Sequence, residues 1–580
     1  MAAVLLSILI IVSLTLAFVQ TEWGQNWLAR QVTARLSRDL QSRISIDNVQ
    51  IGFFNKLNLR GVFIEDQKKD TLLAAGVVQV RITDWFFLAD KAVLHYIGLE
   101  DAIINLNRTD SIWNYRFLQD YFDPPGPKQP KKAGIEFNLK EVRLVNVAFN
   151  MKDGWRGQDM ITRVGALSLD ANNISATEKI IDINRLNLEQ PYFQLYTYDG
   201  NRPTAPAAVK GDMATAWNPQ NWTILAKNIR LQEGVFQNDR ETERAILTYF
   251  DPQHIRFEKI GGTINNLKVA SDTLRADIAL ATRERSGFEV KSLQARFRMH
   301  PQAMEFGNLT LKTGRSTLGN YFAMKYNSLD DLNDFIHSVN MEGRFRNSSI
   351  ASDDIAFFAP QVKSWNRSVQ ISGLVKGTVD ALTGENVALQ LEQNTALSGN
   401  FNLVGLPDIN TTFIHVTADD LHTTYADAVT FIPTLRGTTM PNLAALGRVR
   451  FNGSFTGFIN DFVTYGTLQT SLGTLVTDLN MKFPEGGEPV YSGEITTDNF
   501  QLGRFMNNSQ LGAVAFSGEV KGRSFDWQKL DMDINGNIKK LEFNDYTYQN
   551  ITAKGKVKNR QFNGELAIDE PYPVMNGTRL

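Results

Sequence analysis

The chain contains no cysteine. That excludes a disulfide framework, a cysteine-ligated zinc, an iron–sulfur cluster and a thiol nucleophile, and it suits an oxidising envelope and a reducing cytosol equally. Histidine is scarce as well, with 6 in 580 residues, and only His415 and His422 lie near each other, in HVTADDLH with Asp419 and Asp420 between them. A carboxylate–imidazole metal site can be drawn there. Acidic residues and a histidine leading into a short helix read more simply as a solvated cap. The chain also lacks a G-x-S-x-G elbow, a Walker A loop and an H-E-x-x-H helix. A carbohydrate-active reading finds no convincing pair of catalytic carboxylates. No enzyme activity, metal or cofactor is therefore expected. Charge of one sign is missing too: the formal net charge is -2, which provides no basic field for nucleic acid.

What the chain has in abundance is period-two alternation, the signature of a strand with one dry and one wet face. In ITAKGKVKNRQFNGELAID, Ile551, Ala553, Gly555 and Val557 alternate with Thr552, Lys554, Lys556 and Lys558. A polar turn at Asn559–Arg560 follows, and then Phe562, Gly564, Leu566 and Ile568 alternate with Asn563, Glu565 and Ala567. Val449, Phe451, Gly453 and Phe455 repeat the pattern in RVRFNGSFTG, as do Val514, Phe516, Gly518 and Val520 in GAVAFSGEVKG. Ile371, Gly373, Val375 and Val379 do so in ISGLVKGTVD. The 42 glycines and 36 phenylalanines suit strands and tight bends.

At the N-terminus, Ala2–Val19 is an uncharged apolar run broken only by Ser7, Ser13 and Thr15. At 1.5 Å per helical residue it nearly spans a bilayer core. No small-x-small site precedes Gln20 and the run is long for a signal peptide, so it reads as an uncleaved single-pass anchor. Next, Trp23, Trp27, Val32 and Leu36 recur near helical spacing among Arg30, Arg35 and Arg38. This describes either a helix in the membrane interface, with Trp23 and Trp27 as anchors, or an amphipathic helix capping the body that follows. Because Met1–Val19 has no Lys or Arg, the charge bias read literally points the body to the cytoplasm.

Two proline-rich breaks, Asp123–Gly134 and Asn201–Gly211, read as loops. A weaker repeat joins Asp354, Phe358 and Pro360 to Asp427, Phe431 and Pro433 as D-x-x-x-F-x-P. An acid in the first turn, an apolar anchor and a terminating proline describe short helices set between strand runs, with Asp353 and Asp354 as caps. The spans expected are 1–20 for the anchor, 21–43 for the amphipathic helix, 44–122 for a first β segment, 123–133 for a loop and 134–580 for a repetitive β body. One strand grammar with so few helices suits an all-β sheet curled into an elongated groove. Roughly 30 strands spaced about 4.8 Å apart would run ~140 Å. Its dry face would carry Ile371, Val375, Val449, Phe451, Phe455, Val514, Phe516, Val520, Ile551, Val557, Phe562 and Leu566.

The segment from Thr21 to Ile82 resembles the start of AsmA-like proteins, especially the TamB type of translocation and assembly module. The likeness rests on Gly24-Gln25-x-Trp27-Leu28, the Ile46–Phe54 strand and Asp66-x-x-x-Asp70-Thr71-Leu72-Leu73. Tyr491–Met506 and Tyr548–Glu570 resemble that family's later, β-taco-like repeats. The resemblance implies an inner-membrane anchor, a periplasmic β-groove and a role in outer-membrane biogenesis. It also implies phospholipid carried between membranes and an Omp85-type, TamA-like partner. The family's C-terminal domain is missing after Asn576-Gly577-Thr578-Arg579-Leu580, so an N-terminal fragment is expected. Two functions remain open. A lipid conduit needs an unbroken apolar track, whereas a structural or assembly factor for outer-membrane proteins tolerates a filled interior and presents sheet edges to its clients.

If the anchor reading holds, the protein stays with membranes through a carbonate wash, and deleting Met1–Val19 releases the body. Release of the intact protein by carbonate would contradict it.

Overall fold

The computed structural model describes residues 21–52, 56–82, 91–122, 134–203, 218–241, 244–431, 441–526 and 528–568. The Ala2–Val19 run, the loop at 123–133 and most of Asn201–Gly211 lie outside them. Among the described residues no helix is long and apolar enough to cross a membrane. Strands dominate, as the alternation requires, and the chain divides into two compact units. One is Met1–Gly314 with Asn327–Asn333, and the other is Arg315–Tyr326 with Asp334–Leu580. The proline-rich stretch at 123–133 falls within the first unit, where the strands on either side of it pair with each other.

The first unit opens with a helix, α1 (Glu22–Asp39), whose Thr21 side chain accepts from the Gly24 N–H at its N-cap. This helix packs on β1 (Ile44–Ser45) and β2 (Asn48–Gly52). Asn26 Oδ1 accepts from the Val49 N–H, and Ser37 exchanges two hydrogen bonds with the Ile44 backbone. The side chains turned inward are Gln25, Thr33 and Leu40, while Trp23, Trp27 and Val32 are exposed. So α1 caps the sheet, and it does so with a different face from the tryptophan stripe that the spacing singles out.

The antiparallel β3 (Lys56–Glu65), β4 (Thr71–Ile82) and β5 (Lys91–Arg108) follow. β5 pairs in parallel with β6 (Gly134–Asp153), which leads to β7 (Gln158–Ser175), β8 (Ile180–Glu189) and the collinear β9 (Tyr192–Thr197). β10 (Thr223–Arg240) lies parallel to β8 and β9, and β11 (His254–Ala270), β12 (Thr273–Glu284), β13 (Glu289–His300) and β14 (Ala303–Thr313) complete an antiparallel run.

Each early strand is bent at the same row. Gly61, Asp101, Asn146, Gln190 and Glu233 all have φ between +49° and +62°. The register sets Gly76 between Gly61 and Asp101, and Gly165 beside Asn146. A left-handed residue in a strand shifts the parity of the side chains by one, as a β-bulge does. Inward residues therefore read Leu57, Leu59, Val62, Ile64 on β3 and Val142, Leu144, Val147, Phe149 on β6, with one gap of three in each strand. Asn146 Nδ2 donates to Asp101 Oδ1 at 2.7 Å along this line.

The second unit is an antiparallel meander in which every strand pairs with its sequence neighbour. It runs through β15 (Thr317–Lys325), β16 (Asn340–Ala351), β17 (Ser368–Gly377), β18 (Ala381–Glu392), β19 (Thr395–Val404), β20 (Phe413–Thr424) and β21 (Arg448–Phe458). It continues through β22 (Asp461–Thr470), β23 (Gly473–Lys482), β24 (Val490–Gln501), β25 (Leu511–Arg523), β26 (Asp531–Phe543), β27 (Tyr546–Lys558) and β28 (Gln561–Ile568).

Short helices recur every four strands: Ser352–Ile355 after β16, Tyr425–Phe431 after β20 and Leu502–Phe505 after β24. The first two lie where the D-x-x-x-F-x-P repeat places them, although the first ends before Phe358 and Pro360 opens a 3-10 turn instead. Asp354 lies in the first turn of this helix, as expected, but the N-cap position is Ala351. Asp354 is 8% exposed and accepts from Ser316 Oγ at 2.6 Å and from the Arg315 N–H at 3.1 Å. Asp427 holds Thr395 Oγ1 at 2.9 Å in the same way, tying the helix to the hairpin turn two strands back.

At the kink row, Asn146→Val should lower the stability of the whole chain by about 1–2 kcal/mol, because a β-branched residue is forced into the left-handed region. Asn146→Gly should stay within about 0.5 kcal/mol of the parent. Urea midpoints measure both, and equal midpoints for the two variants would contradict a kink built on positive φ.

Candidate apolar groove

The register places the inward residues of the second unit in rows that run across the strands. One row passes Ile371, Leu389, Leu397, Leu421, Phe451, Leu468 and Leu475, and its counterpart on the later strands is Phe516, Ile538, Ile551 and Ile568. Another passes Val375, Gly384, Phe401, Val416, Phe455, Thr464, Leu479, Gly493, Val520 and Ile534. Between these two lies a row of mostly small residues, Gly399, Ala418, Gly453, Gly466, Thr477, Ile495, Gly518, Gly536 and Ala553, in which Ile495 on β24 is the large member. A fourth contains Leu403, Ile414, Gly457, Phe462, Met481, Tyr491, Gly522, Met532, Val557 and Phe562. No residue of these four rows is charged.

The small row is a fold line. Gly453 has φ +154°, and a Cβ there would overlap the Tyr465 carbonyl oxygen across the strand pair. The Phe451 ring lies where that Cβ would point, and the Phe401 ring covers Gly384 in the same manner. Aromatic rings thus fill what the glycines leave open.

Of the residues singled out by alternation, Ile371, Val514, Phe516, Val520 and Ile551 are buried. Val375, Val449, Phe451, Phe455, Val557 and Phe562 are half-buried. Ile371, Phe451, Phe516 and Ile551 lie in the first of these rows, and Val375, Phe455 and Val520 in the second. Val557 and Phe562 face each other in the last, while Val449 pairs with Thr423 and Val514 with Phe500 and Leu541. Leu566 departs from the expectation of a dry position. It sits on β28, which pairs with β27 on one side only among the described residues, and it is 54% exposed.

Sequence reading found no groove residue in the first unit, yet the same rows exist there. Val49, Leu59, Val78, Leu99, Leu144, Leu167, Leu188 and Leu231 lie side by side on successive strands, followed by Gly262, Leu280, Leu293 and Leu311. Val62, Ala75, Ala102, Val147 and Val164, on the other side of the kink line, join part of this row in one buried cluster. A cavity of about 350 Å³ opens in the crook, lined by Leu144, Val147, Phe149, Val164, Leu188, Phe193, Leu231 and Phe236 among others. Phe193 and Phe236 stack there at 5.8 Å. The signal that could have found it is the single gap of three in each strand's alternation.

Among the described residues no strand of either unit belongs to a second sheet, and the nearest backbone neighbours of each strand are its hydrogen-bonded partners and the short helices. The face opposite the apolar rows carries the charged residues, with Val463, Tyr465 and Val476 exposed among them. Lys554 stands across from Asn535 and Glu565, Arg450 binds Asp420 at 2.6 Å, and Lys556 and Lys558 hold Asp531. A trough of about 620 Å³ lined by Ser349, Gln370, Ser372, Gln390, Asp420 and His422 among others lies in the second unit.

HVTADDLH is part of strand β20 rather than a cap leading into a helix. His415 Nδ1 shares a hydrogen bond with Thr456 Oγ1 at 2.8 Å, and Asp420 is engaged by Arg450. At the other end of the chain Trp23 is 66% exposed and Trp27 is 44% exposed on α1.

The chain matches no protein-family model and no curated protein sequence.

The two faces respond oppositely to charge. Phe451→Asp sets a carboxylate among Leu421, Leu468 and glycine, where desolvation without a partner costs several kcal/mol. Lys554→Asp, on the wet face, should change stability by less than about 1 kcal/mol. A chemical-denaturation midpoint for Phe451→Asp equal to that of Lys554→Asp would contradict this assignment of the faces.

Proposed function

We propose that the chain is a bridge-like envelope protein that conducts phospholipid along the apolar β-groove, anchored in the inner membrane with its body in the periplasm. It would thereby supply the outer membrane. The observation that carries this reading is an apolar face, uncharged row after row, on strands that among the described residues belong to no second sheet. A face of that kind normally packs against another protein layer, and large exposed apolar surfaces mark interaction sites. Acyl chains suit it because they need no polar partner and lie along a row of Leu, Phe and Gly. Head groups stay in water at the lip. The exposed Trp23 and Trp27 on α1 support a membrane interface beside the first strands. An Omp85-type outer-membrane protein is the partner that this reading adds at the far membrane.

One observation favours the second reading, an assembly factor for outer-membrane proteins. Among the described residues β28 pairs with β27 alone, without a bulge and with Leu566 and Ile568 exposed, and an edge of this kind accepts an added strand.

Photo-crosslinkers separate the two. Placed at Phe451, Phe516 and Phe562 they should capture phospholipid, while one at Lys554 should not, and Phe451→Asp should stop transfer between labelled vesicles. Equal labelling of both faces, or full transfer by Phe451→Asp, would favour the assembly factor.

A further inference from the structure

The apolar face of the second unit is not equally open along its length. Around β24 and β25 the chain's own side chains close over it from both lips. At one lip β24 runs into the helix Leu502–Phe505, and the Phe505 ring meets Phe500 edge-on at 5.5 Å. The Phe505 carbonyl accepts from the Asn442 N–H at 2.8 Å, which binds this helix to the 3-10 turn Leu443–Leu446. At the opposite lip β25 ends at Arg523, and Phe525 folds back to stack on Tyr491 at 5.0 Å with the ring planes 7° apart. The turn behind Phe525 is pinned by the Ser524 N–H donating to the Pro489 carbonyl.

Leu502, Phe505, Leu446 and Phe525 all pack on the buried cluster that contains Phe516 and Val520. Val520 is 7% exposed there, whereas Phe451 and Phe455 on β21, four strands earlier, are half-buried. The first unit holds an open cavity instead.

We infer that Phe505 and Phe525 form a two-sided aromatic constriction that selects the apolar ligand by width, admitting a single unbranched acyl chain and rejecting chains that carry fused rings. This inference rests on the lipid-conduit reading. Width is the property selected because both rings reach the face from its lips and leave its chemistry unchanged: the residues beneath are aliphatic and aromatic on either side of the constriction. Beneath the two rings the fold-line row runs Thr477, Ile495, Gly518, so the room left between the lips is that of a slender, unbranched chain. A fused-ring chain must displace one of the phenylalanines, each of which is held by a ring contact and a backbone-pinned turn.

The test uses the full chain with a benzophenone side chain at Leu479, which lies in the closed stretch, and separately at Leu421 and at Leu231 outside it. Each protein is exposed to vesicles of phosphatidylethanolamine and phosphatidylglycerol carrying either straight acyl chains or a pyrene-tailed analogue. Straight-chain lipid should be captured at all three positions. Pyrene-tailed lipid should be captured at Leu231 and Leu421 but about tenfold less at Leu479.

Phe505→Ala with Phe525→Ala should raise pyrene capture at Leu479 to the level seen at Leu421, and the milder Phe505→Leu with Phe525→Leu should fall between. Retained straight-chain capture by these variants shows that the groove has survived the substitutions. Equal capture of both lipids at Leu479 in the parent protein would overturn the constriction. So would capture of neither lipid at Leu479 while Leu231 and Leu421 capture both, since the stretch would then be a plug. Absence of lipid from all three positions would remove the conduit reading itself, and the inference with it.

Discussion

In the first unit the sheet turns along one shared row, where Gly61, Asp101, Asn146, Gln190 and Glu233 take positive φ. A flat sheet with one apolar face would leave that face open to water across its full width. Bending the strands brings the aliphatic residues on either side of the bend toward each other, so that Val62, Ala75, Ala102 and Val147 are buried in one cluster. The second unit reaches the same end by different chemistry. Its fold line is a row rich in glycine and alanine, where at Gly453 and Gly466 the backbones approach too closely for larger residues and phenylalanine rings lie across the gaps. Asn and Asp tolerate the left-handed region and glycine occupies it freely, which is why these residues recur at the bends.

The hydrogen-bond ladder carries the structure while the apolar face remains available. Long antiparallel pairing satisfies the backbone of each strand from its neighbour, so the sheet does not depend on a tightly packed interior for its polar groups. Asp354, buried, and Asp427, half-buried, add local ties by fixing the helices Ser352–Ile355 and Tyr425–Phe431 to Ser316 just before β15 and Thr395 at the start of β19. The wet face contributes exposed ion pairs such as Arg450–Asp420, whose individual worth is small. The protein therefore separates the groups that hold the sheet together from the groups that meet an apolar ligand.

Much of this was legible in the sequence. Alternation alone located β17, β21, β25, β27 and β28 and assigned their inward residues, because period two holds wherever a strand keeps one face dry. It failed where the backbone breaks parity: Asn146 and its neighbours shift the pattern by one, and a strict two-residue template passes over the first unit's rows. Leu566 was misread because alternation reports the face of a strand and not its distance from the sheet edge. HVTADDLH was misread for a related reason, since a bulge near Asp419 interrupts the alternation of β20 and makes it look like a loop before a helix. Asp354 carried no mark of burial, because its partners Ser316 and Arg315 are far away in the sequence.

The account's central claim is that the apolar face is a seat for acyl chains. Phospholipid extracted from the chain lacking Met1–Val19, purified without detergent, and counted by phosphorus analysis against protein tests this most directly. Several phospholipids per chain are predicted, enough to occupy the rows of both units. A lipid-free protein that is folded and monodisperse in plain buffer would contradict it, because the face would then be stable against water with nothing bound.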